Sequence, residues 1–291
     1  MTLADPVVIA CAISGALANR EQCPAIPYTP EEYAAEARRI VDEGGVHIHI
    51  HARTLDGTPS YQVEDFRAIR DAIVAEIGVA AIVNFSTGAV GVGVETRVAY
   101  LEACRPEVAA LNMGSMNYAK YSERRRELVF AFVFANPFEE IIELLGAMRR
   151  LQIKPEHECF DIGHVASLQP LVDMGLLDAP LHVDFVMGVL GGIPATARNL
   201  AAMADNLGAV AAGGREAHWG VIGIGRVQWM MVAAALTLGG SVRVGLEDNF
   251  YLPDGRVAGS NGELVARARR MCEDAGRRPA TVQEARALLG L

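Results

Sequence analysis

The stretch Val46-His47-Ile48-His49-Ile50-His51-Ala52-Arg53 alternates apolar and imidazole side chains residue by residue. Successive side chains of a β-strand point to opposite faces, so His47, His49 and His51 share one face while Val46, Ile48 and Ile50 share the other. Histidines in that register either fill a polar barrel interior or grip a metal ion. Two imidazoles at a strand end can hold one ion and leave positions for a third ligand and a substrate. At most two of the three are expected to bind, with His47, deeper in the strand, packing instead. Arg53 adds a fixed positive charge just beyond.

Short apolar runs like this one recur along the chain. Strands are expected at 7–13, 46–51, 79–85, 108–111, 156–160, 181–186, 218–222 and 242–246. Amphipathic segments lie between them, most clearly at 30–42, 63–76, 137–151, 226–238 and 262–273. The first of these helices has Thr29 as N-cap and Glu32 at the capping-box position. Strand–helix alternation of this kind predicts an α/β protein, a (β/α)8 barrel in a single catalytic domain over residues 1–291. The run Leu128-Val129-Phe130-Ala131-Phe132-Val133-Phe134 is surplus to eight strands. It reads as an extra strand, or as a loop covering the site or meeting another subunit.

Composition narrows the function. The 291 residues carry a formal charge of −9 and are 51% hydrophobic. An acidic chain without a basic stripe excludes nucleic acid as the main partner, and the short piece Lys120–Arg126 reads as a solvated loop. The five cysteines are odd in number and contain no CxxC pair, which fits free thiols in a reducing cytoplasm. Neither a signal peptide nor an apolar run long enough for a membrane span is expected.

In a (β/α)8 barrel, chemistry gathers at the carboxyl ends of the strands. The polar residues fall there: His49, His51 and Arg53; Asn84, Ser86, Thr87 and Gly88; Asn112; Arg243, Glu247 and Asp248. Arg243, Gly245 and Glu247 share one strand face, and Glu247 would complete a two-imidazole, one-carboxylate ligand set. Asp248 follows on the opposite alternation or in the turn, as a base or a ligand-orienting group. Glu156 and Glu158 also point together; one of them could stand near the metal as a proton acceptor or as an anchor for its ligands, Glu158 taking a catalytic part, or they could pair with an interior arginine. Ser86, Thr87 and Gly88 offer hydroxyls and a pliant backbone to a substrate oxygen. The glycine-rich stretches at 187–194 and 220–226 could cradle a phosphorylated group such as coenzyme A through Gly191, Gly192, Gly225 and Arg226, although neither is a P-loop or a dinucleotide fingerprint.

Together these motifs resemble the β-keto acid cleavage enzyme family nearly end to end. The likeness runs through Gly15-Ala16, Pro30-Glu31-Glu32, His49-x-His51-x-Arg53, Asp56-Gly57-x-Pro59-Ser60, Ser86-Thr87-Gly88, Leu111-Asn112-x-Gly114, Pro155-Glu156-x-Glu158, Gly223-Ile224-Gly225-Arg226 and Arg243-x-Gly245-x-Glu247-Asp248-Asn249. The resemblance implies a TIM barrel, a homotetramer and one zinc ion per chain. It implies condensation of a 3-keto acid with acetyl-CoA to give acetoacetate and a new acyl-CoA. By position it makes His49, His51 and Glu247 the zinc ligands and Ser86 a substrate contact. Arg243 and Asp248 become the charged pair beside the ion, Asp248 being held by Arg243 and Ser86, and Glu158 an active-site glutamate.

Three departures concern the substrate. The lysine-fermenting branch of the family carries an ammonium-binding glutamate two residues after its Gly-Ala, and this chain has Leu17 in that neighbourhood. Ala110 replaces a substrate-contacting threonine, and one glycine is missing before Ala89. The expected 3-keto acid therefore has a neutral, largely apolar tail. An anionic tail is the alternative, reached by Arg20 or Arg53. Competing functions are a metal-dependent hydrolase or lyase acting without CoA and a non-catalytic metabolite-binding barrel. The HxH pair on the second strand speaks against the amidohydrolase form of the first.

Overall fold

The computed structural model describes residues 3–291. Eight parallel strands close a barrel in chain order: β1 (Ile9–Ala12), β2 (His47–Ile50), β3 (Ile82–Ser86), β4 (Val108–Asn112), β7 (Lys154–Cys159), β8 (Leu181–Met187), β9 (Ala217–Gly223) and β10 (Ser241–Val244), which pairs with β1. The two remaining strands, β5 (Met116–Ser122) and β6 (Glu127–Phe134), form an antiparallel hairpin between β4 and the next helix. The surplus apolar run is therefore an extra strand.

Helices α1 (Pro30–Asp42), α2 (Val63–Ile77), α3 (Val94–Cys104), α4 (Phe138–Leu151), α5 (Ile162–Ala166), α6 (Leu168–Asp173), α7 (Ala197–Val210), α8 (Gln228–Leu238), α9 (Asn261–Asp274) and α10 (Val282–Leu289) complete the chain. The capping box at Thr29 and Glu32 starts α1 as its sequence predicts. Boundaries shift elsewhere. Val79 is exposed ahead of β3, and residues 225–227 form a separate 3₁₀ turn before α8. Helices α3, α5, α6, α7 and α10 are additions to the five clearest expected segments.

Alternation sorts every strand. Ile9 and Cys11, Ile48 and Ile50, Val83 and Phe85, Val183 and Phe185, and Val242 and Val244 join the main apolar core beneath the helices. Their alternates face inward. Val8, Val46, Ile82 and Val108 close the amino-terminal floor against Ala285 and Leu289 of α10. The hairpin roofs one side of the opposite mouth, where Phe134 packs with Phe160, Val186, Val189 and Ile222, and Met116, Tyr118 and Phe132 lean on the same cluster. Among the described residues, no helix is long and apolar enough to cross a membrane.

Candidate active site

At the mouth, His49 Nε2 and His51 Nε2 lie 3.7 and 3.5 Å from Glu247 Oε1. One ligand atom from each of the three falls within 4.8 Å of the others. His49 is buried, and His51 and Glu247 are partly open to the mouth. Two imidazole nitrogens and a carboxylate oxygen on one side, with an open side facing solvent, match a catalytic zinc-type site. Gly15, in the loop after β1, makes this possible: a Cβ there would come within 2.6 Å of Glu247 Cγ. The Gly15-Ala16 motif was legible in the sequence, but its spatial role was not.

Glu247 and Asp248 reach the same place although they are adjacent in sequence. The strand ends at Val244, and Gly245 takes φ +138°, where an added Cβ would strike the backbone of Ala12. The backbone N–H groups of Asp248 and Asn249 both donate to Gly245 O, forming a turn. This turn replaces the expected strand alternation of Gly245 and Glu247 and turns two consecutive carboxylates toward Arg243.

Arg243, on β10, binds three carboxylates at once. Its Nη1 donates to Glu158 Oε1 at 2.9 Å, Nη2 to Glu247 Oε1 at 3.1 Å, and Nε and Nη2 to Asp248, both at 2.9 Å. Three carboxylates gathered on one guanidinium carry excess negative charge to the extent that they ionise, and a divalent cation held by the adjacent His49, His51 and Glu247 would offset it. Burial pushes the Glu158 carboxyl up to about 8 against the pull of Arg243. Burial also raises Asp248 to about 6, with Arg243 opposing and Glu247 reinforcing. For Glu247 burial is outweighed by His51, His49 and Arg243, which hold its carboxyl well below the usual range.

Ser86, Gly88 and Asn112 meet in one corner. Ser86 Oγ accepts from Gly88 N at 3.1 Å, and a Cβ on Gly88 would lie 3.3 Å from Asn112 Nδ2 and 3.7 Å from Phe134. Asn112 Oδ1 is buried with no partner among the described residues. Thr87 turns away, its hydroxyl donating to Ala110 O. No hydrogen bond joins Ser86 to Asp248 among the described residues; Arg243 alone orients that carboxylate.

Other expected contacts are committed elsewhere. Four of the five Arg53 N–H groups donate to the carbonyls of Gly15, Gly57, Ser14 and Ala18, so this arginine locks the loop after β1 rather than meeting a substrate. Arg20 bonds Ile26 O and Glu32 and lies over the Tyr28 ring. Leu17 is 60% exposed, so it lines no desolvated pocket. Gly191 packs on the hairpin, where a Cβ would strike Asn117 O, and Gly192 packs on Phe160 O. Gly225 N supports the turn after Gly245 by donating to Asp248 O at 2.8 Å. Arg226 is exposed and stacks 4.0 Å over the Tyr251 ring.

One feature escaped sequence reasoning. Tyr118 stacks on Phe132 at 5.2 Å and meets Phe134 edge-on at 5.9 Å, and its phenol is raised by burial first and then by Asp248, Glu247 and Glu158. Glu156, which the sequence pairs with Glu158 on one strand face, stands behind His49, 3.9 Å from Nδ1, and accepts from Asn84 Nδ2. No local pattern marks a hairpin aromatic as a roof residue.

The family model for the beta-keto acid cleavage enzyme matches residues 6–291. The chain belongs to that family. It is 37% identical to a 3-keto-5-aminohexanoate cleavage enzyme of Acetoanaerobium sticklandii, over 99% of each chain. It is 34% identical to a 3-oxoadipate:acetyl-CoA acetyltransferase of Cupriavidus necator, over 99% of this chain and 96% of the relative. The apo structure of ObcA superposes with a TM-score of 0.77 at 21% identity, over 92% of this chain and 66% of that longer one, and shows the shared barrel fold. Within the beta-keto acid cleavage enzymes, this chain is thus an acyltransferase that acts on β-keto acids with acetyl-CoA.

Proposed function

We propose that residues 1–291 form one zinc-dependent catalytic domain that condenses a neutral-tailed 3-keto acid with acetyl-CoA, giving acetoacetate and a new acyl-CoA. The observation that carries this reading is the direct link between ligand set and base: Arg243 Nη2 bonds both Glu247 and Asp248. His49, His51 and Glu247 would hold the ion, which when bound supplies Lewis acidity toward the ketone and carboxylate oxygens of the substrate.

Asp248, oriented by the Arg243 fork, takes the proton from C2 of the keto acid. The C2 carbanion attacks the thioester carbonyl, and the released CoA thiolate attacks the original ketone carbon. The C2–C3 bond then breaks, its electrons leaving with C2 as the acetoacetate enolate, which takes the proton back from Asp248, while the former ketone carbon becomes the acyl group on CoA. Glu158 anchors Arg243 from the other side. Ser86, with Gly88 and Asn112 beside it, faces a substrate oxygen. Arg226, exposed in the 3₁₀ turn before α8, is the side chain most available to a CoA phosphate.

The apolar roof of Tyr118, Phe132 and Phe134 favours a neutral tail, because an unpaired charge against it would cost on the order of several kcal/mol. The relatives differ here: one is named for an amino-substituted substrate and another for a dicarboxylic one. The outer hairpin face exposes Leu128 and Val133 beside Leu190, which supports self-association, with the family's homotetramer as the expected form. Five buried free cysteines suit a cytoplasmic setting.

The test is a competition among 3-keto acids with cationic, neutral and anionic ends, each with and without acetyl-CoA. The neutral substrate should give the highest kcat/KM, and turnover should require acetyl-CoA. Turnover without it would favour a metal-dependent hydrolase or lyase, and a cationic winner would overturn the tail assignment.

A further inference from the structure

Barrels of this type ordinarily fill their interior with branched aliphatic side chains. Beneath the mouth of this one lie His47, Glu156, His182, Asp184 and His218, all at most 5% exposed. They arrive from β2, β7, β8 and β9, with His182 and His218 directly paired across neighbouring strands. Ligand atoms of His47, Glu156 and His182 fall within 4.8 Å of one another. His182 Nε2 is 3.8 Å from Glu156 Oε1 and 3.4 Å from Asp184 Oδ2. Ligands around a tetrahedral zinc at ordinary bond lengths stand about 3.4 Å apart.

The layer is also short of partners. His47 Nε2 and Glu156 Oε1 are buried with no hydrogen-bond partner among the described residues. The ion-pair partners of Glu156 and Asp184 there are histidines alone. Gly220 clears space for the second carboxylate, since a Cβ would sit 2.2 Å from Asp184 Oδ1. Buried carboxylates without a cationic side chain call for a shared proton or a bound cation.

We propose that this layer is a second divalent-cation site of the zinc class, ligated by His47, His182 and Glu156 with Asp184 as the fourth group. Four protein ligands leave no open position, so the deep ion is structural rather than catalytic. It lies one inward-facing residue below His49 on β2, about 7 Å along the strand. Glu156 couples the two levels: Oε1 faces the deep ion, and Oε2 faces His49 Nδ1 at 3.9 Å. Occupancy below therefore steadies the ring of a ligand above.

The experiment is anomalous diffraction at the zinc edge on full-length protein crystallised with zinc, together with metal analysis of the same protein in solution. The expected result is a peak between His47 and His182 besides the one at His49, His51 and Glu247, and about two ions per chain. His182→Gln should lose the deep peak and keep the mouth peak. A lone mouth peak in the unaltered protein overturns the proposal and leaves a shared proton or water in the layer, whether or not His182→Gln folds. A deep peak that survives His182→Gln overturns the ligand assignment. A lone deep peak supports the second site and counts against the mouth site instead.

Discussion

Arg243 and Asp248 form a two-pronged pair, Nε to Oδ2 and Nη2 to Oδ1, each at 2.9 Å and buried. Parallel bonds of this kind fix the plane of the carboxylate as well as its position. The pair ties the ligand carboxylate Glu247 to the base, because the same Nη2 also bonds Glu247.

Asp248→Asn removes the base while keeping the side chain's shape. Turnover should fall on the order of a hundred- to ten-thousand-fold with metal content unchanged. Exchange of the substrate's C2 proton with solvent, followed by NMR, should slow in parallel. Unaltered exchange would transfer the role to Glu158.

Metal loss should separate the histidines of β2. His49→Ala and His51→Ala should each empty the mouth site and abolish nearly all turnover, since each removes one of three ligands. His47→Ala should leave the mouth ion in place, as read by anomalous peaks. Chelation of the unaltered enzyme should stop turnover, and added zinc should restore it. Full activity in His49→Ala would sink the ligand assignment.

Gly245→Ala tests the turn. The residue stands at φ +138°, and an added Cβ would meet Ala12 O at 2.2 Å. The strain should cost at least about 2 kcal/mol in a denaturant titration. Activity should fall further than stability alone explains, because Glu247 and Asp248 both hang from this turn.

Arg53→Ala tests a structural assignment against a substrate-binding one. Losing its bonds to four carbonyls should destabilise the fold by about 3 kcal/mol. The ratio of kcat/KM between anionic and neutral 3-keto acids should stay constant. A selective loss toward the anionic substrate would show that the guanidinium reaches the ligand.

The sequence by itself determined the barrel, the inward register of His49, His51, Arg243 and Glu158, and the family, because strand alternation and short motifs are local properties of the chain. It also contained the hairpin's apolar run, but not what that run covers. The tertiary structure decided which charges are free. Arg53 looked like a substrate contact until its N–H groups met four loop carbonyls, and Leu17 looked pocket-forming until it proved exposed. Closure of the barrel brought Glu156, His182 and Asp184 around His47, residues up to 137 positions apart in sequence. Such convergence depends on which strands become neighbours around a closed sheet, and no local periodicity encodes that. Adjacent Glu247 and Asp248 share one site for a related reason: Gly245 breaks the strand where Ala12 of the neighbouring β1 crowds it, a contact that exists only once β1 and β10 pair.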